Sequence, residues 1–172
     1  LFVSDLHITD ISLDVLSKLD STYDYATSNG INLIINLGDI TDEHNKITNS
    51  RLFVLDNIIN KLPKANGIYH AILGGNHDRF WVDVGIDLVK FLSENREDII
   101  DLGYSHAFID FNDSKEDSIA LHHFNNKFTM VDPFGRQKTD ISALNNAIHN
   151  YYSTQDDRDR ENTYIDMFGH FH

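Results

Sequence analysis

Residues 68–80 read IYHAILGGNHDRF, and this stretch decides the fold. Its first half is largely apolar, as in a buried strand, and it runs directly into the glycine pair Gly74 and Gly75. A turn needs glycine and asparagine because of their backbone freedom, but it does not need the His77 and Asp78 that follow. The stretch alone therefore allows two interpretations: a turn that leads to a helix cap, or a strand end that carries a functional site.

The segments on either side of this stretch alternate between strand and helix patterns. Apolar runs and helical spacing predict, in chain order, a strand at 1–3, a helix at 11–29, a strand at 31–37, a helix at 50–62, a strand at 67–73 and a helix at 84–95. This alternation is typical of a parallel sheet with crossover helices. Ligands of such sheets bind at the carboxyl ends of the strands, and each of these predicted strands ends in polar residues.

The second half of the chain is less regular. Two neighbouring strands are predicted at 105–111 and 117–121, followed by a helix at 141–152 and a last strand at 164–168. The charged run at 155–161 is predicted to be a solvated loop or helix end.

Composition limits the chemistry that the chain can perform. Its 172 residues, of which 41% are hydrophobic, favour one domain with a sizeable core. Cysteine is absent, so disulfides and thiolate metal sites are excluded, and histidine, carboxylates or amides must hold any metal. The formal net charge of −13 argues against broad, non-specific binding to nucleic acid, although a nucleic-acid substrate at a metal site is still allowed.

Histidines, carboxylates and one amide gather at the predicted strand ends. Nitrogen and oxygen ligands together suit Zn, Mn, Fe or Co better than Mg or Ca. In an extended loop, residues two apart point the same way, so the spacing within each Asp-x-His or His-x-His pair lets both side chains reach one site. The candidate site residues are Asp5, His7, Asp39, Asn76, His77, His122, His170 and His172.

Five motifs occur in an order that resembles the calcineurin-like metallophosphoesterases. They are Asp5-Leu6-His7, Gly38-Asp39-Ile40-Thr41-Asp42, Gly75-Asn76-His77-Asp78, a histidine at the end of the 117–121 strand, and Gly169-His170-Phe171-His172. The resemblance extends from end to end of the chain. It implies a four-layer α/β/β/α sandwich that lacks its last strands, with residues 1–172 forming a single catalytic domain cut from a longer chain.

The resemblance also implies a role for each site residue. It predicts two divalent metal ions, Mn, Fe, Zn or Co with Mn favoured, which activate a hydroxide for in-line attack on phosphorus. One ion would be held by Asp5, His7, Asp39 and His172, and the other by Asp39, Asn76, His122 and His170, so that Asp39 bridges both. His77 would donate a proton to the leaving oxygen, and Asp42 would pair with that histidine.

Several assignments stay open. The resemblance implies that the ligand is the first histidine after the strand, in a His-x-Pro pattern, so His122 is preferred over His123, although Phe124 stands in place of the proline. Asp78 is predicted to be a cap or a support for the ligands. The remaining histidines are predicted to be structural or exposed: His44, His70, His106 and His149.

The predicted function is metal-dependent phosphoester hydrolysis, and within this class a phosphodiesterase is preferred. Glu43 stands where the Ser/Thr protein phosphatases carry an arginine, which argues against that branch. The alternative is a DNA exonuclease or endonuclease like those of double-strand-break repair, and a non-catalytic scaffold of the same fold is less favoured. The expected partner is a phosphoester, including a nucleotide or nucleic acid, in the cytoplasm and without a membrane, because no apolar run is long enough to span one.

Overall fold

A computed structural model describes residues 1–9, 13–42, 50–83, 85–110, 118–123 and 163–169. These residues form a mixed α/β structure in which helices cover a parallel sheet, and this confirms the predicted fold class. None of the described helices is long and apolar enough to cross a membrane.

The first sheet is parallel throughout, as predicted. Its strands lie side by side in chain order: β1 (Phe2–Val3), β2 (Leu33–Asn36), β3 (Tyr69–Gly74) and β4 (Ile99–Tyr104). The connections contain α1 (Leu13–Ser28), α2 (Ser50–Lys61), α3 (Arg79–Asp83) and α4 (Leu88–Asn95).

The strand order places the helices on one face of this sheet. Each crossover leads to the next neighbour in the same direction, and crossovers of this kind are almost always right-handed, so successive helices fall on the same side. The packing agrees, because Ile72 of β3 lies in a buried cluster with Ile58 of α2 and Leu92 of α4. The other face of the sheet is thereby left for a different layer.

A second sheet covers that other face. It contains β5 (His106–Asp110), β6 (Ser118–His123) and β7 (Thr163–Gly169), with β6 in the middle, antiparallel to β5 and parallel to β7. Ala71 and Leu73 of β3 pack in one apolar cluster with Ile119 and Leu121 of β6, so residues that alternate with Ile72 face the second sheet. The described residues thus supply three layers of the predicted sandwich, and the helix predicted at 141–152 lies outside them.

Two elements differ from the sequence-based expectation in a way that matters for the site. The apolar pattern does not predict β4, because Asp101 and Gly103 interrupt it, and β4 then continues through Ser105 directly into the second sheet. β6 runs two residues further than predicted and ends at His123 instead of Leu121. Since side chains alternate along a strand, this extension decides which histidine faces the first sheet.

Candidate metal centre

The candidate site lies where the carboxyl ends of β1, β2, β3 and β6 meet. The loops after β1 and β2 are held together by their backbones: Asp5 N donates to Gly38 O over 3.0 Å, and His7 N donates to Asp39 O over 3.0 Å. The backbones of Asp5, His7 and Asp39 are all left-handed, with φ of 54°, 45° and 53°. Non-glycine residues adopt this conformation at a cost of roughly 1–3 kcal/mol each, and it persists where surrounding structure enforces it.

Asp39 stands at the centre of the site. Its side chain is fully buried, and its Oδ1 accepts a hydrogen bond of 2.9 Å from His77 N. Its Oδ2 lies 3.1 Å from His123 Nε2 and 4.0 Å from His77 Nε2. A side chain on Gly75 would collide with the Asp39 backbone and carboxylate, so glycine is required there for this close approach.

Asp5 and His7 lie beside Asp39 on the β1 side. His7 Nε2 is 4.0 Å from Asp5 Oδ1, and each of Asp5, His7 and Asp39 offers one ligand atom within 4.8 Å of the other two. Ser4 Oγ donates a hydrogen bond to Asp5 Oδ2 and thereby orients the carboxylate. Asp5 and His7 do therefore reach one site, but through left-handed backbone at both residues and not through the extended loop that the spacing predicts.

Asp42 lies between two imidazoles. Its Oδ1 is 3.3 Å from His7 Nδ1 and 3.6 Å from His77 Nδ1, and the two rings meet edge to face with centroids 4.8 Å apart. The predicted pairing of Asp42 with His77 is present in the geometry. The contact with His7 is additional, and no motif in the sequence indicates it.

His123 approaches Asp39 from the second sheet. Its Nδ1 lies 2.7 Å from the Leu37 carbonyl oxygen, so Nδ1 carries the proton and donates it, which leaves Nε2 as the nitrogen with a lone pair. Nε2 is 2.9 Å from Asn76 Oδ1 and faces the Asp39 carboxylate. Burial opposes protonation of this imidazole, but the contact with Asp39 and the bond to Leu37 outweigh it and raise the pKa of His123 above 6.5.

The structure places His123, instead of the preferred His122, against Asp39 and Asn76. Ile119, Leu121 and His123 share the face of β6 that packs on the first sheet, whereas His122 lies on the opposite face of the strand. The preference for His122 rests on a strand that ends at Leu121, whereas β6 ends at His123, and the choice of ligand between the two stays a prediction. The signal was present in the sequence, because the alternation of Ile119 and Leu121 continues to His123.

The last motif reaches the same edge of the fold. A side chain on Gly169, at the end of β7, would collide with Leu37 O and with Ser4 Oγ, so the end of β7 lies against the loops after β1 and β2. His170 and His172 lie outside the described residues, and their roles stay predictions.

The donor set fits divalent metal ions. Nε2 of His123 faces two oxygen atoms, from Asn76 and Asp39, and these three atoms are held together by a proton on Nε2 in the metal-free protein or by a cation that replaces this proton. The group of Asp5, His7 and Asp39 offers a second convergence of nitrogen and oxygen ligands around the same central carboxylate. Mixed nitrogen and oxygen donors are those that Mn, Fe, Co and Zn accept.

A family model for calcineurin-like phosphoesterases matches residues 1–170. The chain belongs to the calcineurin-like phosphoesterase family. As a calcineurin-like phosphoesterase it is a metal-dependent hydrolase of phosphoric esters, and the aspartates and histidines described above are its candidate metal ligands. No curated protein matches the chain at a significant level.

A buried carboxylate supports the ligand loops of this phosphoesterase without reaching the centre itself. Asp78 is fully buried and accepts hydrogen bonds from the backbone N–H groups of Gly75, Ile40 and Thr41, at 2.9, 3.1 and 2.9 Å. The Thr41 hydroxyl also donates to Asp78 over 3.0 Å and accepts from the Trp81 indole over 3.1 Å. Asp78 therefore joins the loop after β2 to the loop after β3, in agreement with its predicted supporting role.

Asp78→Ala should destabilise the fold by about 3–5 kcal/mol, because it leaves three buried N–H groups without an acceptor. Urea denaturation measures this change. The matched control is Asp83→Ala, which removes an exposed carboxylate at the end of α3 and should change stability by less than about 0.5 kcal/mol. Similar denaturation midpoints for the two variants would show that Asp78 does not hold the loops together.

The raised pKa of His123 predicts opposite pH trends for the metal-free and metal-loaded protein. A histidine whose pKa is higher in the folded state stabilises the fold below pH 6.5, and this contribution is lost as pH rises through the folded-state value. Metal binding requires the neutral ring, so it strengthens over the same interval. As pH rises above 6.5 through the folded-state pKa, the melting temperature in EDTA should therefore fall, while the increment produced by Mn²⁺ should grow.

The buried His70 does not contribute to these stability trends above pH 6.5. Burial lowers the pKa of His70 to about 4, so its effect on stability is confined to pH values below its ordinary pKa of 6.5. His123→Gln should remove much of the decline of the melting temperature in EDTA above pH 6.5. An unchanged slope in this variant would mean that another group titrates there.

Proposed function

We propose that this phosphoesterase hydrolyses phosphodiesters with two divalent metal ions bound around Asp39. Asp5, His7 and Asp39 would hold one ion, and Asp39, Asn76 and His123 would hold the other. As the sequence predicts, His172 would complete the ligand set of the first ion and His170 that of the second; both residues follow β7.

The position of Asp39 carries the proposal. Its buried carboxylate lies in the ligand group formed with Asp5 and His7, while its Oδ2 is also 3.1 Å from His123 Nε2. A carboxylate with other metal-ligand groups on both sides is suited to bridge two cations. Burial of its negative charge would be costly without those cations. The bound ions would supply a nucleophile at neutral pH and Lewis-acid stabilisation of the phosphoryl oxygens.

His77 would protonate the leaving oxygen. Its ring is partly exposed and lies between the buried Asp39 and the half-exposed Asp42, so one edge faces the site. Asp42 Oδ1 lies on the Nδ1 side of the ring, which would orient Nε2 toward the site. A proton donated to an alkoxide leaving group speeds departure by typically 10²–10⁴-fold.

Hydrolysis of bis(4-nitrophenyl) phosphate and of 4-nitrophenyl phosphate tests the proposal. The purified chain is stripped with EDTA and reloaded with Mn²⁺, Co²⁺ or Zn²⁺, and metal content is measured beside activity. We expect metal-dependent turnover with a larger kcat/KM for the diester, and first recovery of activity with Mn²⁺. A preference for the monoester, or activity that survives complete metal removal, would refute the proposal.

A further inference from the structure

Arg79 carries a positive charge to the rim of this acidic site. It follows the Asn76-His77-Asp78 sequence directly and begins α3, where its backbone N–H donates to Gly75 O over 3.2 Å. Its side chain is exposed, and its Nη2 donates a hydrogen bond of 2.8 Å to Ser105 Oγ.

Ser105 is fixed at the junction of the two sheets. Its N–H donates to Gly74 O over 3.1 Å, and its carbonyl accepts from His123 N over 2.8 Å. Its backbone is left-handed, with φ of 73°, which a serine adopts only where its neighbours hold it. The residue whose hydroxyl binds Arg79 is therefore hydrogen-bonded through its backbone to His123, a proposed metal ligand, and to Gly74, next to the glycine that contacts Asp39.

The charge on Arg79 is not neutralised within the part of the chain that the structure describes. Its side-chain partner there is a neutral hydroxyl, although Asp39, Asp42 and Asp78 all lie in the adjoining loops. Among the described residues, Ser105 uses one N–H of this exposed side chain, and the planar fork of the guanidinium carries further donors. An exposed guanidinium that is held in place by a neutral group is suited to bind an oxyanion.

We propose that Arg79 binds a second phosphate group of the substrate, beside the ester that is cleaved. This inference rests on the proposed function, and it narrows the substrate class to phosphodiesters that carry another phosphate, as nucleotide chains and phosphorylated nucleotides do. Ser105 acts as a positioning residue, because it holds the guanidinium at the junction and does not itself reach the ester.

Two pairs of substrates test this inference, because the members of each pair differ by one phosphate. The first pair is thymidine 5′-(4-nitrophenyl phosphate) with and without a 3′-phosphate, and the second is the dinucleotide TpT with and without a 5′-phosphate. The two pairs place the extra phosphate on opposite sides of the scissile bond. We expect the protein to prefer the phosphorylated member of at least one pair, mainly through a lower KM.

Arg79→Ala should lower that preference, expressed as the ratio of kcat/KM values within the pair, by about 10-fold. Arg79→Lys should restore part of it, since the charge remains but the fork is lost. Ser105→Ala should give an intermediate loss, with an increase in KM and little change in kcat. Lys90→Ala is the matched control, because it removes one exposed positive charge from α4 and should leave the ratio within about 2-fold.

The outcomes separate the inference from the proposed function. Inactivity on all four compounds and on bis(4-nitrophenyl) phosphate as well would overturn the proposed function itself. Inactivity on all four compounds together with turnover of bis(4-nitrophenyl) phosphate would overturn the inference alone. Hydrolysis of all four with ratios that Arg79→Ala leaves unchanged in both pairs would overturn the role of Arg79 alone. An equal decrease for Arg79→Ala and Lys90→Ala would show a general effect of net charge and would also overturn it.

Discussion

Replacing Asp39 with asparagine should remove metal from both proposed positions and lower phosphodiester turnover by more than about 100-fold. The amide keeps the size of the side chain, and its oxygen can still accept the hydrogen bond from His77 N. What is lost is the negative charge next to His123 and within the group of Asp5 and His7. Because one carboxylate serves both groups, one substitution should affect both ions.

Metal stoichiometry measured on the dialysed protein provides the decisive readout for Asp39→Asn. Two equivalents are expected in the unmodified chain and fewer than one in the variant. Asp24→Asn, which changes an exposed carboxylate on α1, is the matched control and should keep both equivalents. Loss of a single equivalent with the other intact would contradict a bridging role for Asp39.

His77→Asn should depress turnover of diesters with alkoxide leaving groups by about 10²–10⁴-fold, and it should depress turnover of nitrophenyl diesters much less. An alkoxide is strongly basic and needs a proton as it departs, whereas nitrophenolate is stable near neutral pH. The comparison of TpT with bis(4-nitrophenyl) phosphate isolates this difference, because both are diesters. Equal losses on both substrates would mean that His77 stabilises phosphoryl charge and does not act as an acid.

Metal content controls for indirect effects of the His77 substitution, and Asp42→Asn extends the test. His77→Asn should retain both ions, since His77 is not among the proposed ligands. Asp42→Asn should show a weaker dependence on the leaving group through His77. It should also weaken metal binding, because Asp42 Oδ1 lies 3.3 Å from Nδ1 of the proposed ligand His7. The sequence had indicated the contact with His77 alone.

The sequence by itself determined the fold class and the family. Strand and helix patterns in the first 95 residues predicted the parallel sheet with its crossover helices. They could do so because burial of one or both faces of a helix or strand requires apolar residues at a regular spacing in the sequence. The motifs that begin at Asp5, Gly38 and Gly75 predicted the membership that the family model shows. They also indicated where each polar loop lies, since the ends of parallel strands share one edge.

The tertiary structure decided which atoms meet at that edge. The preference for His122 followed from a strand end placed two residues too early, and packing of β6 on the first sheet shows that His123 faces Asn76 and Asp39. The apolar pattern also does not predict β4, because polar and glycine residues interrupt it. The strand is recognised only from its parallel pairing with β3.

The connections that hold the site are likewise properties of the folded chain. Asp78 accepts hydrogen bonds from Ile40 and Thr41, which precede it by 38 and 37 positions in the chain. Arg79 is held by a hydrogen bond to Ser105, whose carbonyl in turn accepts a hydrogen bond from His123 N. Local sequence records the chemistry of a side chain and the face of the element that carries it. It does not record which distant backbone that side chain meets, because this depends on how the two sheets and the loops at their common edge pack in three dimensions.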